Sequence, residues 1–468
     1  MCSVLHFFSL HAVKTPLLAL ALSAPRIARC KGAVLLLGAA LLLSACSHET
    51  EVPAPQAPTT DTYPAEVATK WTDLELLLIR RGTGFSPPVA ARALGYASVA
   101  LYEAVVPGMP AYQSLAGQLT DLGPLPRPAA SQRYNWAVTA NAAEALIIKN
   151  LFGNAPATQR ATLDSLETAL YLPYRTAEEF DRSVEFGQQV AQAVFDWSRT
   201  DGGHQGYLTN QPAGYVPPMG PGLWTPTTAG ASGRALQPYW GQNRRFVPAN
   251  AALPMPALAF TYSTQPGSAY YAEVLEVYST SRNLTAAQRT ITAYWADAGQ
   301  TITPPGHMVS ITSVVLRAQQ ASLATAAEAY ARVGAAVADA FIGCWKCKYE
   351  YNWQRPVTAV QAMIDPAWRP EWETPPFPEF VSGHATQSAA TAQVLSDLFG
   401  AQTAFVDDTH KARGAGFEPR AYANFAAFAN EAAMSRLYGG IHFRSGNAVG
   451  LAEGLKVGRN VSALRCRR

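Results

Sequence analysis

Three short basic motifs crowd toward the C-terminal end of the chain. They are Lys348 with Arg355-Pro356, Ser382-Gly383-His384, and Ser435-Arg436 with His442. Together they provide one lysine, two arginines, hydroxyls, a glycine turn and two histidines, the groups needed to surround a tetrahedral oxyanion. Arginine presents a planar fork of donors, and lysine a compact point charge. A glycine turn opening a helix aims backbone N–H groups and the positive end of the helix dipole at the same anion. The two histidines can divide the remaining work, one bonding the central atom and the other moving protons.

Each motif also has a plain structural reading. Lys348 and Arg355 lie about two helical turns apart, so on a continuous helix they share one face, which could simply be solvated. Against that, Lys348 follows the apolar run Ala340-Phe341-Ile342, and Tyr349, Tyr351 and Trp353 imply a half-buried aromatic setting. Ser382-Gly383-His384 follows Pro375-Pro376-Phe377-Pro378 and opens a stretch of small residues, the loop-to-helix arrangement of an anion site. Gly439 and Gly440 end or bend the helix after Arg436 and return the chain to His442. His307, close after Trp295-Ala296-Asp297, is expected to be a structural residue capping a helix start, with a role at the mouth of the site as the alternative. His204 and His410 have no neighbours that suggest chemistry. Cys344-Trp345-Lys346-Cys347 lacks the βαβ context of a redox motif and the further ligands of a zinc site, leaving a local disulfide or two buried thiols. A G-x-S-x-G nucleophile elbow does not occur.

Taken together and in this order, the motifs resemble those of the superfamily that joins vanadium-dependent haloperoxidases with type 2 phosphatidic acid phosphatases and bacterial non-specific acid phosphatases. The resemblance is tightest over 341–450. Looser likeness to the bacterial haloperoxidase branch extends through Arg81-Gly82, Pro87-Pro88-Val89-Ala90-Ala91-Arg92, Trp224-Thr225-Pro226 and Thr303-Pro304-Pro305-Gly306-His307. It implies an oxyanion cage of Lys348, Arg355, Ser382, Gly383 and Arg436, with His442 bonding vanadate and His384 as the acid–base residue. The implied activity is oxidation of halide by hydrogen peroxide. Phosphate-ester hydrolysis through a phosphohistidine at His442 is the alternative, and a non-catalytic oxyanion-binding lipoprotein is the reading of a different class. One position departs from the pattern. The family's third motif has an aspartate four residues beyond its histidine, and here that position is Gly446. Ser445, Asn447 or a backbone carbonyl could substitute, but none supplies a negative charge to orient His442, which predicts weak vanadate binding or slow turnover.

The elements that must position these groups read as helical. Segments 89–105, 131–152, 157–171, 176–199, 285–297, 307–342, 383–399 and 420–437 are Ala-rich, with apolar residues at three- and four-residue intervals. Thr285-x-x-Gln288 reads as a capping box. Gly202 to Gly267 lacks a helical period and carries Trp224, Tyr239 and Trp240, so it is expected to pack across the helices as a long irregular loop. The fold class is therefore all-α, one large helical bundle over 71–468 with the oxyanion site between helices.

Upstream, the first 45 residues hold Lys14, Arg26, Arg29 and Lys31, no acidic residue, and an apolar run ending Leu43-Ser44-Ala45-Cys46. That is a secretory signal, and its ending resembles a bacterial lipobox acylated at Cys46. The apolar run falls short of the ~20 residues a membrane span needs. Residues 46–70 read as a flexible tether holding the protein on the periplasmic or outer face of the envelope. The chain has 36 basic and 33 acidic residues. Removing the leader's four basic residues leaves a net −1, which gives no global field for nucleic acid.

Overall fold

The computed structural model describes residues 58–227 and 234–468; the expected signal segment, Cys46 and the first part of the expected tether lie outside them. The α-helices begin with α1 (Glu66–Arg81), α2 (Pro87–Val105), α3 (Trp136–Leu151), α4 (Ala157–Tyr171), α5 (Phe180–Ser198) and the single turn α6 (Pro248–Ala251). Next come α7 (Ala269–Arg282), α8 (Ala286–Tyr294), α9 (Thr303–Ala318), α10 (Leu323–Tyr351) and α11 (Pro356–Met363). The chain closes with α12 (Gly383–Phe399), α13 (Phe425–Tyr438) and α14 (Arg444–Ser462). Among the described residues the only sheet is an antiparallel pair, β1 (Phe405–Asp407) with β2 (Arg420–Tyr422), which sets Asp407 opposite Arg420. The all-α expectation holds.

Helix α2 carries only two charged residues, Arg92 and Glu103, and every residue from Pro88 to Val105 is buried. A helix without a polar face belongs in a core; this one is apolar and long enough to cross a membrane, yet lies wholly inside the protein. It packs on α10 through glycines. A Cβ on Gly334 would lie 3.1 Å from the Leu94 carbonyl, and one on Gly95 would lie 3.2 Å from that of Gly334. The 29 residues of α10 are capped by Ser322, whose hydroxyl accepts from the Thr325 N–H, and by Asn352 in the left-handed region, φ 44°.

A second glycine contact joins α12 to α14. Gly446, Gly450, Gly454 and Gly458 fall at every fourth position and so share one helix face. A Cβ would stand 2.9 Å from the Ser382 carbonyl at Gly450, 2.1 Å from that of Thr386 at Gly454, and 2.7 Å from that of Ala390 at Gly458. Those three carbonyls are also four residues apart. The two helices therefore touch backbone to backbone, next to the residues that begin α12.

Several boundaries differ from expectation for local reasons. The helix expected over 307–342 is two helices, because Gln320 adopts φ 48° and Ser322 caps a new start. Residues 420–422 pair with β1, and α13 starts later under an Asn424 cap. The end of the expected tether is folded: Ala65 and Leu323 N–H groups bond the Ala321 and Tyr63 carbonyls, and α1 begins at Glu66. In the irregular loop Trp224 and Trp240 bury as expected, whereas Tyr239 stays half-exposed. The Thr285–Gln288 capping box is present.

Candidate active site

Every motif lies at a helix end, and the ends converge. Lys348 is in the last turn of α10, and Arg355 is the residue that caps α11. The expected shared helix face does not form, because α10 stops at its Asn352 cap, in the left-handed region, and Pro356 holds Arg355 in extended backbone (ψ 154°). Ser382 caps α12, and Gly383 and His384 form its first turn. Arg436 ends α13; Gly440, at φ 73°, then reverses the chain so that His442 precedes α14. Gly383, His384, Arg436 and His442 line a cavity of about 810 Å³. Lys348, Arg355 and Ser382 are fully buried. Leu236, from the irregular loop, supplies part of the cavity wall, and its carbonyl accepts from Trp345 and Tyr349.

His442 is held from both sides. Its Nε2 lies 3.1 Å from Arg355 Nη1, and its Nδ1 lies 2.8 Å from Glu379 Oε1. A guanidinium only donates, so Nε2 must carry the lone pair and Nδ1 the proton, which is donated to the carboxylate. Burial, followed by the positive charges of Arg355, Lys348 and Arg436, holds the imidazole well below its usual pKa. The result is a neutral histidine with a basic nitrogen in a cationic surround. The expectation that His442 lacks a carboxylate is therefore overturned. Neither Ser445 nor Asn447 fills the role: the Ser445 hydroxyl donates to Glu273 instead, and the Asn447 side chain makes no hydrogen bond.

Glu379 is buried, and desolvation raises its pKa to about 7 against the lowering pull of Lys348 and Arg355. The Lys348 ammonium is spent on backbone, donating to the carbonyls of Pro378 at 3.0 Å, Glu379 at 2.8 Å and Val381 at 2.6 Å. Lys348 thus fixes the segment leading into α12. Other donors remain available. Arg355 Nη2, Ser382 Oγ and Arg436 Nε are buried without a hydrogen-bond partner. Unpaired buried polar groups are costly. Donors of this kind around a lone-pair nitrogen fit a tetrahedral oxyanion such as vanadate.

His384 lies in the wall of the same cavity as Arg436 and His442. Its Nε2 is 3.8 Å from Asp297, and burial together with Arg436 lowers its pKa to about 4. Behind it stands a layer the sequence reading missed. Asp297 receives His307 Nδ1 at 3.0 Å and His410 Nε2 at 3.0 Å, while His307 Nε2 meets Asp407 at 2.9 Å. Burial opposes a charge on His307, but the two carboxylates outweigh it and raise its pKa to about 10. Asp297, His307 and His410 have the donor types of a cation site; a protonated His307 clamped between two acids already supplies that positive charge. His307 is thus neither a cap nor at the cavity mouth, and His410 does have company. Only Asp297, beside Trp295 and His307 in sequence, could have been flagged. Cys344 and Cys347 are free buried thiols, the second of the two expectations.

The comparisons agree with this geometry. Residues 328–467 match the family described as the VCPO second helical-bundle domain. No curated protein matches the sequence. Two solved structures, described as the holo and apo types of a bacterial vanadium-dependent chloroperoxidase, share the fold at 18% and 17% identity. Their TM-scores are 0.64 and 0.65; the alignments cover 83% and 87% of this chain and 93% and 98% of theirs. The helical vanadium haloperoxidase fold is thereby defined. A structure described as the first bacterial vanadium-dependent iodoperoxidase aligns at 33% identity and TM-score 0.76, over 86% of this chain and 96% of its own. This chain belongs to the vanadium-dependent haloperoxidase family.

Proposed function

We propose that this protein oxidises halide with hydrogen peroxide at a vanadate held by His442, and that iodide is the halide, as in the name of its 33%-identical relative. The observation that carries this reading is the His442 Nε2 lone pair, set by Arg355 and Glu379, among the unpartnered Arg355 Nη2, Ser382 Oγ and Arg436 Nε. Those donors and the Gly383 N–H would hold the anion's oxygens. Bound vanadate supplies Lewis-acid activation of peroxide. His384, neutral above about pH 4, is placed to take a proton from hydrogen peroxide and return it to the departing oxygen. The sum consumes halide, peroxide and one proton, and gives hypohalous acid and water. We further propose that acylated Cys46 anchors the enzyme to the cell envelope, which Cys46→Ser would abolish in a lipid-labelling and fractionation experiment.

The test is iodide oxidation by the purified protein with and without added vanadate, beside phosphate release from p-nitrophenyl phosphate. Oxidation that depends on vanadate and is lost in His442→Ala is the expected result. Phosphate release that vanadate inhibits, with no oxidation, would assign the same histidine to hydrolysis. Silence in both assays would leave a binding protein.

A further inference from the structure

We infer that Glu379 is the positioning residue of the vanadate ligand, and that Glu379 and Gly446 form one spatial unit: the orienting carboxylate comes from the segment before α12, and the absence of a side chain at 446 on α14 leaves the space it occupies. The inference deepens the proposed function and rests on it for the name of the anion.

Three observations converge. First, Glu379 Oε1 accepts from His442 Nδ1 at 2.8 Å and also from the Phe443 N–H at 3.1 Å, so one oxygen grips both the ring and the backbone that carries it. Second, a Cβ at Gly446 would stand 2.3 Å from that same oxygen and 3.0 Å from the carboxyl carbon. Any side chain at 446 collides with the carboxylate now present, so glycine is required here by space. Third, Glu379 is fixed from its own backbone. Its carbonyl accepts from Lys348, its N–H donates to the Trp353 carbonyl, and the Ser382 N–H donates to the Gly446 carbonyl. The carboxylate is thus built into a clamped segment that touches all three motifs.

The consequence is positional. Aspartate at 446 and glutamate at 379 are alternative ways to place one carboxylate on one nitrogen, and they exclude each other. Glu379 touches neither anion nor peroxide; it acts through the tautomer and orientation of His442, and partners of this kind are typically worth 10–100-fold in metal affinity or activity.

Four variants test this: Glu379→Gln, Glu379→Ala, Gly446→Asp, and the double exchange Glu379→Ala/Gly446→Asp. Two quantities are read, vanadate Kd by calorimetry and the His442 tautomer by 15N NMR of histidine-labelled, vanadate-free protein. We expect wild type to show a protonated Nδ1. Glu379→Ala should weaken vanadate about 10–100-fold and let the tautomer mix, with Glu379→Gln, which keeps the shape, intermediate. Gly446→Asp alone should also lose affinity through the collision. The double exchange should recover at least tenfold over Glu379→Ala and restore the protonated Nδ1. The inference is overturned if Glu379→Gln and Glu379→Ala leave both Kd and tautomer unchanged, or if the double exchange binds no better than Glu379→Ala. Should wild type fail to bind vanadate, the proposed function fails while the tautomer arm still decides the role of Glu379.

Discussion

Replacing Gly454 by alanine probes whether the backbone contact between α12 and α14 holds the site together. The new Cβ would stand 2.1 Å from the Thr386 carbonyl and 2.8 Å from Ala389 Cβ, so the helices must part by about 1.4 Å to reach an ordinary contact. Overpacking of this kind costs about 1–3 kcal/mol. Alanine's better helix propensity returns about 1 kcal/mol, leaving a net loss of up to about 2 kcal/mol. Thr386 is two residues from His384, so the displacement reaches the site, where a misplacement of about 1 Å is worth up to about 100-fold in rate. Urea denaturation should show a lower midpoint at unchanged slope, with iodide oxidation reduced at least tenfold at saturating vanadate. Gly123→Ala is the control, since nothing lies within 4 Å of its added carbon. A Gly454→Ala protein as stable and active as wild type would refute the reasoning, because the helices would then have slack that the distances deny.

Two further outcomes concern the buried charges. Burial raises Glu75 to a pKa of about 8, and burial together with Glu75 raises Glu144 well above the ordinary carboxyl range. The folded state therefore holds protons that the unfolded chain releases, and stability should fall as pH rises from about 4.5 through about 8, at up to about 1.4 kcal/mol per pH unit for each carboxyl. Glu75→Gln should flatten that decline in denaturation midpoints taken across the range; an unchanged slope would exclude Glu75 as its source. Asp297→Asn removes one arm of the His307 clamp and should cost about 3 kcal/mol, as breaking a buried ion pair does. Adding His307→Gln should cost less than the sum of the two single changes, and strict additivity would show that the two residues do not act together.

Much of the fold was legible because periodicity reports it directly. Segment 157–171 is a helix to the residue, and 383–399 likewise. The break between α9 and α10 was not legible, since Gln319-Gln320-Ala321-Ser322 contains neither glycine nor proline and only the Ser322 cap announces it. Proline did carry a usable signal at Arg355: Pro356 excludes the preceding residue from a helix, and the shared-face reading of Lys348 and Arg355 neglected it. In the site, the residues already gathered into motifs came together, whereas the carboxylates that orient them were missed. Glu379 lies 63 residues from His442 and Asp407 lies 100 from His307. Such partners meet only through tertiary packing, and no local pattern encodes them. The carboxylate that Gly446 does not supply is near it in space and far from it in sequence.

The row of glycines on α14 has a consequence for anyone mapping this protein by saturation mutagenesis. Positions 446, 450, 454 and 458 will score as intolerant, since each added carbon meets an atom of the opposing wall at under 3 Å. Yet glycine offers no donor, charge or nucleophile, so at 450, 454 and 458 the sensitivity records shape alone. A tolerance map taken at face value would draw the catalytic centre as a stripe running about 18 Å along a helix. Separating it into chemistry and clearance needs a second measurement at each position, the tautomer of His442, which only a change at 446 should alter, because only there does the added carbon meet the Glu379 carboxylate.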